Sequence, residues 1–218
     1  MTLITVFSLI AHNLVVEGII QHQSGIHVAK ITLIRIGGAI LTVLVIAQFF
    51  SGTTASVTLP ADFTTARPFP EVVGAWGIDT SWLLLKILGI IMGIMILLEV
   101  LKAMGWINYL VRFFRPVMRV LGLPPQASTL WVAAAVFGLM FGGMVILEEA
   151  RKEELTPEEL ERLHISIGIN HSMVEDPALF LALGINGFWL WVPKLVVGIS
   201  AVQLYRLTRH LRRKRRHT

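Results

Sequence analysis

The chain has 218 residues, of which 55% are hydrophobic and only 15% are charged, against about 25% charged in an average soluble domain. The formal net charge is +5, but seven of the 19 Lys and Arg residues lie in Arg206–Arg216. The rest of the chain is slightly acidic and very apolar, which excludes a disordered chain and a nucleic-acid-binding domain and is typical of an integral membrane protein. No cysteine is present, so disulfides and thiolate metal sites are excluded.

Four apolar runs are long enough to cross the ~30 Å hydrocarbon core of a bilayer. They are Ile31–Phe50, Trp82–Leu101, Thr129–Leu147 and Ile185–Tyr205. Two further stretches, Leu3–Ile20 and Ile165–Leu183, contain His, Asn and acidic residues and predict re-entrant hairpins or broken helices, which need protein or a wet cavity around them. The predicted fold class is all-α, a polytopic membrane protein with about four full transmembrane helices and these two elements.

Basic residues predict which loops face the cytoplasm. The segment Arg112–Arg119 and the tail 206–218 are basic and are expected on that side, whereas Ser51–Ser81 and Glu148–Arg162 are expected outside. If the loops lie on these sides of the membrane, the two polar stretches cannot both cross it. We expect a multi-pass protein of the inner (plasma) membrane, surrounded by lipid, with a cytoplasmic C-terminus.

An internal repeat relates the two polar stretches without a gap, at an offset of 159 residues. Four pairs of positions carry it: His12 with His171, Glu17 with Asp176, the helix breakers Gly18 with Pro177, and Arg35 with Lys194. The spans that follow the two copies run in opposite directions, which predicts a partial inverted repeat of the kind that transporters use. The spans that precede the second copy have no counterpart before the first, which predicts a second membrane polypeptide or self-association.

The segment Asn170–Phe180, with the sequence Asn-His-Ser-Met-Val-Glu-Asp-Pro-Ala-Leu-Phe, resembles the signature of the Gate, or nucleoside-recognition, family. Arg115–Pro124 and the Gly-rich run Gly138–Gly143 also resemble that family. It includes spore maturation proteins A and B and the membrane part of ferrous-iron transporter B, and it is related to concentrative nucleoside transporters. The resemblance covers roughly Trp82–Arg206, with a partial copy in Met1–Phe50, and implies an inner-membrane protein linked to solute or ion passage.

Four regions are therefore predicted along the chain. They are a partial first repeat at 1–50, an external loop at 51–81, a Gate-like membrane domain at 82–205 and a basic cytoplasmic tail at 206–218. Thr156, followed by Pro157, predicts an N-cap and the start of a short surface helix that ends at Leu163.

Candidate site residues are the polar side chains of the two unusual stretches, because a charge at the bilayer centre costs about 2.5–3.5 kcal/mol. The candidates for binding a small polar solute or ion are Asn170, His171, Glu175, Asp176 and Asn186, with His12 and Glu17 as repeat equivalents. Two buried cations are predicted to balance charge, by pairing Lys194 with Asp176 and Arg35 with Glu17. Two alternatives stay open: the acids cap a helix at the membrane surface, and the amides satisfy backbone groups freed at a break.

No phosphate-binding loop and no nucleophile with a partner base are evident, so neither an enzyme nor a cofactor is predicted. His171 and Glu175 share a helix face, but two ligands are too few for a metal site and none is predicted. The leading hypothesis is a permease or permease subunit for a small polar solute or ion. The alternative is a non-transporting assembly subunit in which the intramembrane charges hold helices together.

Overall fold

The computed structural model describes residues 1–50, 68–151 and 155–215, and within these ranges the chain forms helices and no strand. The helices are α1 (Thr2–Ala11), α2 (Leu14–Gln23), α3 (Val28–Phe50), α4 (Phe69–Ala103), α5 (Ile107–Leu121), α6 (Pro125–Arg151), α7 (Pro157–Asn170), α8 (Glu175–Ala182) and α9 (Gly187–Lys214). The prediction of an all-α polytopic membrane protein is confirmed.

Four helical segments are apolar and long enough to cross a bilayer: α1 with α2, α3, α4 and α9. The last three correspond to three of the predicted spans, although α9 begins two residues after the predicted Ile185–Tyr205. The first corresponds to the polar stretch Leu3–Ile20, which the sequence does not predict as an ordinary span. A fifth apolar unit is the pair formed by α5 and the first half of α6, which is bent by 111°.

Helices α3 and α9 follow the two repeat copies and pack antiparallel. Lys30, near the start of α3, lies 4.5 Å from the centroid of the Tyr205 ring, late in α9. At the other end of the pair, the Phe50 ring lies 5.3 Å from the ring of Trp189 at the start of α9. Equivalent helices of the two copies therefore run in opposite directions, which confirms the inverted arrangement.

The two polar stretches are broken helices, one of the two predicted forms, and of the two only the first, α1 with α2, is among the candidate spans of the described residues. We name the end of the bundle that carries Lys30, Arg162 and Arg209 the basic end. Helix α7 begins there, where Glu161 pairs with Lys30 and Arg209, and α8 leads through a short turn into α9 at the opposite end. In the same way α2 leads into α3 at the basic end, so α1 begins at the opposite end.

Helix α6 is a hairpin in place of the predicted continuous span Thr129–Leu147. Gly138, in its middle, has non-helical backbone angles (φ 80°, ψ 173°). A methyl group placed on Gly142 would overlap Ala134, although residues eight apart in a continuous helix are separated by about 12 Å. The chain therefore folds back at Gly138, and the missing side chain of Gly142 allows the two arms of the hairpin to pack closely.

The start of α7 lies at the basic end, which corrects the prediction that Glu148–Arg162 and the C-terminal tail face opposite sides. Gly122, just before α6, accepts a hydrogen bond from Arg162 Nη1 over 2.8 Å. Glu161 Oε2 accepts one from Arg209 Nη2 over 3.2 Å. The prediction failed because it counted α6 as a crossing, whereas a hairpin returns the chain to the end that it left.

Helix α7 starts where the sequence predicts and runs beyond the predicted end, to Asn170. The Thr156 hydroxyl accepts from the Glu159 backbone N–H, and the Glu159 carboxylate accepts from the Thr156 backbone N–H, which completes a capping box. The Thr156 hydroxyl and backbone N–H both donate to the Glu159 carboxylate, and these hydrogen bonds hold the pKa of Glu159 below its ordinary value.

The predicted external loop and tail are helical where the structure describes them. Residues 51–67 of the loop lie outside the described residues, and α4 begins at Phe69. Residues 216–218 of the tail also lie outside them, and α9 continues through the tail to Lys214.

Candidate functional site

Both repeat copies break at their histidine. Helix α1 ends before His12, which has extended backbone (ψ 171°), and Asn13 follows with a left-handed φ of 58°. Helix α7 ends before His171, also extended (ψ 159°), and Ser172 follows with a φ of 50°. Small polar residues tolerate the left-handed region better than bulky ones. The repeat predicted from sequence is therefore confirmed in the backbone.

A second pair of equivalent turns follows each short helix, since Gly25 and Gly184 both have positive φ, of 74° and 86°. However, the two residues that were predicted to break the helices do not lie at the breaks. Gly18 lies inside α2, and Pro177 lies in the first turn of α8. Proline is tolerated in a first turn because its missing N–H would have no helical acceptor there.

The two breaks meet, and each histidine faces the acid of the other copy. His12 Nε2 lies 3.1 Å from Asp176 Oδ2, and His171 Nδ1 lies 3.1 Å from Glu17 Oε1. The two histidines touch each other, with 3.2 Å between their Nε2 atoms. Reciprocal contacts of this kind are those of a two-fold relation between the copies. We name these four side chains the crossed cluster.

A cation from each long helix closes the break of its own copy. Arg35 donates to Ile10 O through Nε (3.2 Å) and Nη2 (3.0 Å), donates to His12 O over 2.9 Å, and forms an ion pair with Glu17. These carbonyls belong to the end of α1, where helical acceptors are missing and the helix dipole favours positive charge. The predicted pair of Arg35 with Glu17 is thus present.

Lys194 takes the equivalent position in the second copy. Its Nζ donates to His171 O over 2.6 Å and lies 4.0 Å from Asp176 Oδ2, as the predicted ion pair requires. Lys194 and Arg35 are both about 1% exposed. Charges this deep in a membrane protein are retained only with partners, and here each cation has both a carboxylate and backbone carbonyls.

The two halves of the crossed cluster differ in accessibility. The side chains of His171 and Glu17 are 1% and 3% exposed, whereas those of His12 and Asp176 are 31% and 20% exposed. The cluster is therefore closed on the side of Glu17 and partly open on the side of Asp176.

The hairpin of α6 places a third break beside the crossed cluster. Ser172 N and Met173 N donate to the carbonyls of Ala134 and Ala135, over 3.3 Å and 2.6 Å. A Cβ atom on Gly138 would lie 3.5 Å from Glu175 Oε2. The candidate Glu175 thus faces the α6 break and is half-buried. In the sequence, this break is marked only by the Gly-rich run Gly138–Gly143. Such a run is typical of close helix packing, and here it also resembles the family, but neither property predicts a break.

The two candidate asparagines lie in different surroundings. Asn170 is 1% exposed at the end of α7, and its amide group has no hydrogen-bond partner among the described residues. Asn186 is exposed, and its Oδ1 accepts from Phe188 N over 2.9 Å at the start of α9. Asn186 therefore satisfies a helix terminus, one of the two alternatives kept open, and lies apart from the crossed cluster.

A cavity of about 10 Å³ lies on the closed side, lined by Glu17, Gln21, His164 and apolar neighbours, and it has room for about one water molecule. Gln21 Oε1 and His164 Nε2 have no hydrogen-bond partner among the described residues. Neither Gln21 nor His164 is a candidate from sequence, because neither has an amide or titratable counterpart at the repeat offset.

The fold and the crossed cluster define a multi-pass α-helical membrane protein built on two inverted broken-helix units. Residues 84–186 match the Gate family, described as nucleoside recognition, so the chain carries a Gate domain. The matched part runs from α4 to the turn before α9 and agrees closely with the stretch that resembled this family.

A relative of the chain is the protein named "Uncharacterized membrane protein YvoD" from Bacillus subtilis (strain 168), which is 24% identical over 206 residues. The match covers 88% of this chain and 62% of the relative, so the chain spans less than two thirds of that protein's length. None of the solved structures compared with the chain gives a significant match.

Proposed function

We propose that the chain is a permease, or a permease subunit, for a small polar solute or an ion that binds at the crossed cluster. One observation carries this proposal: two broken helices of inverted units meet at their breaks through His12, Glu17, His171 and Asp176. Broken helices that meet near the midplane between inverted repeats are the common binding architecture of secondary transporters.

The helix ends supply the binding chemistry. At each break one helix ends and the next begins, so carbonyls of the first and backbone N–H groups of the second lack helical partners. The four titratable side chains of the crossed cluster lie beside these groups. The backbone N–H groups suit an anionic or hydroxyl group, and the carboxylates suit a cation or an N–H donor. A small polar solute and an ion both fit this set, whereas an apolar ligand does not.

The difference in exposure supports a gated site. The Glu17 side is closed by Arg35 and His171, and the His12–Asp176 side is partly open. In an inverted repeat, exchanging the two conformations would open the Glu17 side and close the Asp176 side, which is the basis of alternating access.

We also propose where the protein lies in the cell and that it has no catalytic activity. We place the protein in the inner membrane with the basic end in the cytoplasm, because basic residues accumulate there. Among the described residues, the crossed cluster contains no Ser, Thr or Lys nucleophile activated by a neighbouring base, so we propose that the chain is not an enzyme.

Helix α4 favours the second candidate, an assembly subunit with a second membrane polypeptide or another copy of the chain. Of its 35 residues only Leu98 is buried, and a methyl group added at Gly89 or Gly93 would meet no neighbouring atom within 4 Å. Such a surface suits lipid or a neighbouring transmembrane helix. The mass of the complex purified in mild detergent separates these, since a stable lone monomer would count against the assembly role.

Uptake into proteoliposomes tests the permease role. A panel of radiolabelled nucleosides and small ions is offered to vesicles that contain the full chain. We expect accumulation of at least one of them, and a decrease of about tenfold or more, or roughly 1.4 kcal/mol, in the double variant Glu175→Gln, Asp176→Asn. The matched control is Asp79→Asn, on the exposed face of α4. Equal uptake by the double variant and the wild type would overturn this site assignment.

A further inference from the structure

We propose that the crossed cluster binds a divalent transition-metal ion, through Nε2 of His12, Nε2 of His171 and the carboxylate of Asp176. The inference rests on the proposed function in that it gives the same site a class of ligand. Equilibrium binding is measured without transport, however, so the two proposals can fail separately.

The ligand atoms have the spacing that a metal requires. The Nε2 atoms of His12 and His171 are 3.2 Å apart, and His12 Nε2 is 3.1 Å from Asp176 Oδ2. All three ligand atoms lie within 4.8 Å of one another. Zinc-type bonds to nitrogen and oxygen of about 2.0–2.2 Å place neighbouring ligand atoms about 3.3 Å apart in a tetrahedral site. One ion therefore fits between them with small adjustments.

Hydrogen bonds on the far side of both rings point their Nε2 lone pairs inward. His12 Nδ1 lies 2.9 Å from Ser8 O, and His171 Nδ1 lies 3.2 Å from Gly168 O and 3.3 Å from Ile167 O. All of these partners are acceptors, so each Nδ1 is the protonated nitrogen. Metal-binding histidines are characteristically held in this way, by a carbonyl or a carboxylate on the other nitrogen.

The consequence is that three acceptors converge when each imidazole carries a single proton. Two imidazole lone pairs and a carboxylate oxygen would repel one another at these distances unless a cation lies among them. Lys194 Nζ does not fill this role, because it donates to His171 O and lies 4.0 Å from Asp176 Oδ2. A divalent metal satisfies all three acceptors; a proton shared by the two histidines is the rival occupant.

The charge of the surroundings permits a dication. Arg35 is neutralised by Glu17, and Lys194 by Asp176. Glu175 adds a further carboxylate next to Asp176 on the partly open side. Two imidazoles and one carboxylate form a ligand set for zinc-like, borderline ions rather than for Mg²⁺ or Ca²⁺, which prefer oxygen. Sequence spacing could not show this set, because its two histidines come from different copies.

Cobalt titration of the full chain in detergent, after removal of metal with a chelator, tests the proposal. We expect one Co²⁺ per chain, seen by its visible d–d absorption and displaced by Zn²⁺. His12→Ala and Asp176→Asn should each weaken binding by about tenfold or more, since removing even a hydrogen-bonding partner of a ligand costs about 10–100-fold. His12 is chosen because it is partly exposed, so its loss leaves the buried core intact.

The control is His22→Ala, an exposed histidine at the end of α2, which should bind Co²⁺ like the wild type. The proposal is overturned if no absorption band develops, or if His12→Ala and Asp176→Asn bind Co²⁺ with wild-type affinity. Either result would assign the 3.2 Å contact between the histidines to a shared proton. Solute uptake that persists in metal-free protein would leave the permease proposal standing.

Discussion

At the scale of single residues, each buried cation beside the crossed cluster satisfies a group that a broken helix exposes. Arg35 closes the carbonyl end of α1, and Lys194 does the same for α7. The pairing of these cations with Glu17 and Asp176 could be predicted from the repeat alone, since each copy carries an acid and a cation at equivalent positions. The contacts between copies could not, because no local spacing indicates that His12 faces Asp176.

The first prediction concerns the buried pair of Arg35 and Glu17. Arg35→Met should destabilise the protein by about 3–5 kcal/mol, because it leaves a buried carboxylate without its cation. The double variant Arg35→Met, Glu17→Gln should recover most of that loss, since neither charge then remains buried. Denaturant unfolding in detergent measures both, with Arg212→Met, an exposed cation of α9, as the control. A double variant no more stable than Arg35→Met would contradict the pairing.

At the scale of helices, breaks were harder to predict than spans. Hydropathy identifies α3, α4 and α9 because each is a long apolar run. It cannot show where a helix changes direction, since that depends on a few backbone angles. Gly18 and Pro177 are helix-breaking residue types, yet the breaks fall at His12 and His171, where hydrogen bonds from Arg35 and Lys194, distant in sequence, stabilise the exposed backbone carbonyls.

The second prediction concerns the turn of the α6 hairpin. Gly138→Ala should destabilise the fold by about 1–3 kcal/mol, because a φ of 80° with extended ψ is open essentially to glycine alone. Gly93→Ala is the matched control: this glycine is helical with open space around it, so alanine should leave stability unchanged or raise it by up to about 1 kcal/mol. Thermal unfolding of the two variants in the same detergent makes the comparison. Similar melting behaviour would mean that α6 is continuous at Gly138.

At the scale of the whole molecule, charge predicted the relative direction of α3 and α9 correctly and the side on which α7 begins wrongly. Both outcomes follow from the same rule. The positive-inside rule orients segments that cross the membrane. It assigns the next loop to the wrong side whenever a segment such as α6 enters the membrane and returns to the side that it left. Contacts of Glu161 with Lys30 and Arg209 then bring the acidic start of α7 to the basic end.

The central claim is that two inverted units oppose each other across the crossed cluster, since the proposed binding site exists only in that arrangement. The absence of cysteine from the chain allows a direct measurement by chemical cross-linking of introduced cysteine pairs. Lys30 and Arg209 both lie over the Tyr205 ring, 4.5 Å and 5.6 Å from its centroid. Trp189 is the repeat equivalent of Lys30 and lies at the other end of α9.

We therefore predict that a short bifunctional thiol reagent cross-links the pair Lys30→Cys, Arg209→Cys in membranes and does not cross-link the pair Lys30→Cys, Trp189→Cys. A cross-link between positions 30 and 209 alone would establish that α3 and α9 run antiparallel. A cross-link between positions 30 and 189 instead would mean that the two units are parallel, and it would contradict the crossed cluster and the function proposed from it.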